Sequence, residues 1–96
     1  MAGPGADATP PLTVLLFGRA ECHLCDEAER MLARIARTIP MTVQLIDIDA
    51  DDYLQRLYML EIPVVMANGK EVARAPISEG RLEDALQAAM NDAASR

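Results

Sequence analysis

The amino-acid sequence predicts an α/β domain of βαβαββα order, with a four-stranded mixed sheet flanked by three helices. Three observations carry that expectation. Leu12 to Phe17 is a nearly unbroken apolar run, two later stretches show helical apolar spacing, and Asn68-Gly69 stands between two short strand-like segments. Composition agrees: 96 residues make one domain rather than two, and a 51% hydrophobic share with only 3% aromatics makes the core aliphatic.

Leu12 to Phe17 suits a central strand covered on both faces. From Leu24 the apolar residues Ala28, Met31, Leu32, Ile35 and Ile39 recur at helical intervals, with Asp26 and Glu27 near the start and Arg34 and Arg37 near the end, as the helix dipole favours. Pro40 punctuates that helix. Thr42 to Asp49 returns to strand composition, and Leu54, Leu57 and Tyr58 are spaced for a short second helix. Val64–Ala67 and Glu71–Arg74 flank Asn68-Gly69, a pair that tolerates positive φ at both positions and so favours a two-residue hairpin. Ser78 can cap a last helix carrying Leu82, Ala85, Leu86, Ala89, Met90 and Ala93. Residues 1–11 read as a flexible Gly-, Pro- and Ala-rich tail, leaving 12–96 as the domain.

The net charge of −6 and the absence of basic runs argue against nucleic acid. No apolar stretch approaches the ~20 residues of a membrane span, and the first residues lack the pattern of a signal peptide, so a cytoplasmic monomer is expected. Met31, Met41, Met59, Met66 and Met90 are expected to fill the core, and Tyr53 and Tyr58 to pack. Asp47, Asp49, Asp51 and Asp52 lie at a strand-to-helix junction, which favours helix capping over a cation site.

Chemistry concentrates at Cys22-His23-Leu24-Cys25. A bridge across two residues closes too small a loop to be an effective staple, so the pair's use is chemical. Cys22 stands where the first helix begins, where unpaired N–H groups and the dipole favour a thiolate; it is the expected nucleophile. Cys25, nearly a turn further and on the apolar face, is the expected resolving thiol. His23 and Arg19 are the cations that could tune Cys22, with Glu21 opposing them. Lowering a thiol pKa from ~8.5 to ~7 raises its thiolate fraction roughly 15-fold at neutral pH, but weaker nucleophilicity returns about 5-fold. The benefit should therefore fall mainly on the step in which Cys22 is the leaving group. Ile62-Pro63 opens the third strand; its isomer is not legible from the residues. The cysteine pair also fits half of a zinc site, although only His23 accompanies it, or a ligand to an iron–sulfur cluster shared between two chains.

In Leu15 to Ala28, in Asp47-Ile48-Asp49, and in Ile62-Pro63-Val64-Val65 with Asn68-Gly69-Lys70-Glu71, the chain resembles short glutaredoxin-like proteins of the thioredoxin superfamily. The resemblance runs from about Leu12 to Met90 and implies a thioredoxin-like fold. It also implies thiol-disulfide exchange through a mixed disulfide, with Cys22 attacking, Cys25 resolving and Pro63 cis beside them. Ile62, Pro63 and Arg19 would then bind substrate, and His23 would tune the thiol. The partners would be a disulfide-containing protein or small thiol and an external thiol reductant, with no bound cofactor or metal. Glutathione-dependent relatives carry Gly-Gly and an acidic or hydroxyl residue after the last strand. Here Arg74-Ala75-Pro76-Ile77-Ser78-Glu79 stands instead, which disfavours glutathione. The absence of Trp, and Leu16 on the first strand, set the chain apart from thioredoxins proper. A non-enzymatic binding module or an intersubunit cluster carrier is the alternative.

Overall fold

The computed structural model describes residues 10–94; the expected tail, as far as residue 9, lies outside the described residues, as do the last two. The elements are β1 (Leu12–Gly18), α1 (His23–Ile35), β2 (Met41–Asp47), α2 (Asp52–Tyr58), β3 (Val64–Ala67), β4 (Lys70–Arg74) and α3 (Glu79–Ala94). Their order is the predicted one. Across the sheet the strands run β2-β1-β3-β4. β1 and β2 are parallel, from Leu12 opposite Met41 to Gly18 opposite Asp47. The β1–β3 and β3–β4 pairs are antiparallel, so the sheet is mixed.

Alternation along β1 divides the core in two. Leu12, Val14 and Leu16 face Ala28, Leu32 and Ile35 of α1 and Leu82 and Leu86 of α3. On the opposite face, Phe17, Ile48 and Val64 form a smaller cluster with Leu54 and Tyr58 of α2 and Ile62 packed against it. Helices thus lie on both faces of the sheet, and β1 is buried along most of its length, with Thr13 its one exposed residue, as suits its nearly unbroken apolar run. Tyr58 lies against Phe17 with ring centroids 4.9 Å apart.

Four sequence expectations need correction. β2 ends at Asp47, not Asp49, because the Asp47 carboxylate accepts the Asp49 N–H at 2.9 Å and turns the chain into a short 3-10 segment, Ile48–Ala50. α1 ends at Ile35; Ile39 remains buried through a turn in which its N–H donates to the Ile35 carbonyl. Met59 and Tyr53, expected to pack, are exposed, since the seven-residue α2 is too short to turn both toward the sheet with Leu54 and Tyr58. The capping reading of the aspartates holds at Asp51, whose carboxylate accepts the N–H groups of Tyr53 and Leu54. The hairpin also follows expectation, with Asn68 at φ 51° and Gly69 at φ 86°.

An ion pair ties the two helices on the larger core face. Arg34 of α1 donates to both Glu79 carboxylate oxygens, at 2.7 to 3.1 Å, where α3 begins. Arg34 holds the Glu79 carboxyl below the usual glutamate range, chiefly by hydrogen bonding. The folded state therefore binds this proton less readily than the unfolded chain does. The pair's contribution is complete above the ordinary glutamate pKa and is lost as pH falls through the lower, folded-state value. Thermal melts of wild type and Glu79→Gln should differ most near neutrality and converge in acid; a gap independent of pH would contradict this account.

Candidate active site

The site lies at the edge of the sheet where the parallel strands β1 and β2 end. Gly18 closes β1, and the chain crosses Arg19-Ala20 to Glu21, which takes the left-handed conformation at φ 58°. That conformation is unusual for a residue with a side chain and reverses the chain sharply. Cys22 then returns to extended backbone, φ −110° and ψ 104°, as the N-cap of α1. Its Sγ accepts the N–H of Cys25 at 3.1 Å, and its carbonyl accepts the N–H of Asp26 at 3.0 Å.

Cys22 and Cys25 are joined as a disulfide, with Cα atoms 5.2 Å apart. They are unequal. Cys22 is half-buried, whereas Cys25 is 6% exposed and lies on the buried face of α1 with Ala28 and Leu32. Gly18 sits directly behind it: a Cβ there would lie 2.9 Å from the Cys25 Sγ and 3.1 Å from its Cβ. The absent side chain makes room for the sulfur.

Pro63 opens β3 after a cis Ile62–Pro63 peptide and is fully buried. It lines a narrow cleft of about 80 Å³ with Leu24 and Met31 of α1 and with Pro76 and Ile77. The Ala75–Pro76 peptide is also cis, and the Ala75 N–H donates to the Pro63 carbonyl at 3.0 Å, so the two proline segments form one wall. Pro76 was not singled out in the sequence. Ile62 is half-buried, and its own N–H donates to the Tyr58 carbonyl at 3.1 Å.

The remaining expected site residues are engaged with carboxylates. Arg19 donates from Nε and Nη2 to the two Asp49 oxygens at 3.0 and 2.8 Å. It borders a second cavity of about 240 Å³ with Gly18, Cys25, Asp26, Glu29 and Asp47. His23 is largely exposed and pairs with Glu27 at 3.0 Å, one turn along the helix. At the end of β4, Arg74 is held by Glu61 and Glu71, which raise its already high pKa through hydrogen bonds, and it in turn lowers that of Glu71. Among the described residues, no group of three or more His, Cys, Asp or Glu side chains could hold a metal ion. No helix among them is long and apolar enough to cross a membrane.

Residues 13–87 match the family described as glutaredoxin-like domain (DUF836). Among solved structures, the X-ray structure of protein XcR50 from X. campestris is 36% identical, with a TM-score of 0.68 over 78% of this chain and 96% of that one. Protein Ne2328 from Nitrosomonas europaea, solved by NMR, is 27% identical with a TM-score of 0.68, over 78% and 91% of the two chains. Thioredoxin 1 from Thermosipho africanus shares 14% identity and a TM-score of 0.63 over 85% and 98%, a likeness of fold. No curated protein matches the sequence.

Proposed function

The chain belongs to the glutaredoxin-like domain family, and from that premise we propose that it is a thiol-disulfide oxidoreductase acting through Cys22 and Cys25. The observation that carries the reading is the asymmetry of the pair: a half-buried Cys22 at the N-cap and a buried Cys25 behind it, already within bonding reach of one another. The Cys22 thiolate attacks one sulfur of a substrate disulfide and expels the other as a thiolate, leaving a mixed disulfide. The Cys25 thiolate then attacks Cys22 Sγ, forms the intrachain disulfide and releases the second substrate sulfur. The substrate gains two electrons, the protein loses two, and an external thiol reductant restores the dithiol. We place this cycle in the cytoplasm, on a monomer with no bound cofactor.

The surroundings support each step. The N-terminal dipole of α1 and the Cys25 N–H stabilise negative charge on the Cys22 sulfur, which favours attack and, more strongly, departure. Arg19 and His23 are each engaged by a carboxylate, Asp49 and Glu27, which offsets what they could add to that stabilisation and leaves the helix terminus as its source. Ile62 and Pro63 present the substrate side of the cleft. Because the Ile62 N–H is engaged with Tyr58, a substrate strand would pair there through the Ile62 carbonyl.

Trapping tests the proposal. Reduced Cys25→Ser protein mixed with a disulfide substrate should accumulate a stable adduct at Cys22, detectable by intact-mass measurement, whereas reduced wild type should pass through it to the intrachain disulfide. Absence of an adduct would exclude the mechanism. A brown, iron-containing dimer from purification would point instead to a cluster carrier.

A further inference from the structure

Resting on the oxidoreductase reading, we propose that the cysteine face selects disulfides carried in polypeptide segments whose neighbouring side chains are apolar and neutral or basic. It discriminates against anionic small disulfides such as that of glutathione. Two independent features of the site lead there.

The first is the cleft beside the motif. Leu24 lies between the two cysteines in sequence and is 53% exposed, a large apolar group with no covering partner in the fold. Together with Met31, Pro63, Pro76 and Ile77 it forms an apolar slot whose one charged lining residue is Glu27. A short aliphatic side chain next to a substrate cysteine fits such a slot; the carboxylates of glutathione find no cation in it.

The second is the distribution of charge. Recognition of an anionic disulfide needs a guanidinium or ammonium free to meet a carboxylate. At this end of the sheet Arg19 is engaged by Asp49 in a two-pronged pair, Arg74 by Glu61 and Glu71, and His23 by Glu27. Asp26, Glu29 and Asp47 border the cavity behind Cys25. Arg81, in the first turn of α3, lines a neighbouring hollow with Arg74, Pro76 and Ile77, and with Arg56 on α2 is a further cation to consider. The resulting field around the sulfur repels anions and favours basic or neutral chains.

The test uses reduced Cys25→Ser protein, so that only the first step is read. Two peptide disulfides, identical except for Lys or Glu beside an alanine-flanked cysteine, are compared with glutathione disulfide and the neutral 2-hydroxyethyl disulfide. Each rate is divided by that of mercaptoethanol with the same disulfide. The Lys peptide should react about 10-fold faster than the Glu peptide and than glutathione disulfide, the range electrostatic steering allows, with the gap narrowing in high salt. Asp49→Asn, which releases Arg19, should raise the glutathione rate several-fold relative to the Lys peptide. Equal rates for the two peptides, or glutathione disulfide reacting as fast as the Lys peptide, would overturn the proposal. So would a glutathione preference that disappears in Arg81→Ala, which would give that cation the recognising role. Reaction with 2-hydroxyethyl disulfide but without selectivity would remove this inference alone; no adduct with any of the four would remove the oxidoreductase reading and this inference with it.

Discussion

Serine at position 22 is expected to bring disulfide reduction down to the uncatalysed background while the reduced protein melts close to wild type. The hydroxyl cannot form a mixed disulfide, and Cys25, on the buried face of α1, is too enclosed to take its place. The fold should not suffer, because Cys22 occupies the N-cap and serine is among the best residues for that position. A serine Oγ can accept the Cys25 N–H that now points at sulfur. The measurement pairs a turnover assay with thermal melts of the two reduced proteins. Appreciable residual turnover in Cys22→Ser would transfer the attacking role to Cys25.

Gly18→Ala should have the largest effect of any single methyl group added near the site. The new carbon would sit 2.9 Å from the Cys25 sulfur, and the nearest atoms belong to a buried residue on a packed helix that has little freedom to retreat. Overpacking of this kind typically costs ~1–3 kcal/mol, which for a domain of this size lowers the melting temperature by roughly 4–24 °C. The functional effect should be selective. Attack by Cys22 would proceed, while closure by Cys25 would slow, so the mixed disulfide should accumulate in an otherwise complete protein. A rapid-quench time course distinguishes the steps; equal slowing of both would show that the methyl group disturbs the whole loop instead of the resolving sulfur.

Most of the architecture was legible because it rests on local patterns. The apolar continuity of Leu12 to Phe17, the helical spacing after Cys22 and the Asn68-Gly69 turn each correspond to an observed element. The cysteine pair was legible too, since position at a helix start fixes which sulfur is accessible. What escaped depended on residues distant in sequence. The engagement of Arg19 by Asp49 spans 30 positions. The parallel pairing that sets Gly18 opposite Asp47 brings these neighbours together, so the signal existed once β1 and β2 were aligned. The second proline wall at Pro76 had no such signal, because which isomer an X-Pro bond adopts is fixed by tertiary surroundings. The room that Gly18 provides likewise appears only when β1 is packed against α1. Tyr53 and Met59 were misread because apolar type alone does not tell which residues of a short helix turn inward.

At the opposite end of the sheet, Asn68 works as a clasp: its N–H donates to the Thr13 carbonyl at 2.8 Å, and its side-chain oxygen accepts the Thr13 N–H at 2.9 Å. Beside it the Leu12 N–H donates to the Pro40 carbonyl at 3.0 Å, so the start of the central strand is fastened from both neighbours. The domain thus keeps its fastening and its chemistry at opposite poles. In a library scored separately for abundance and for turnover, substitutions around Thr13 and Asn68 would register as scarcity of protein, while small polar replacements of Cys22 itself would register as intact but idle molecules. The length of β1 is what keeps the two kinds of failure apart.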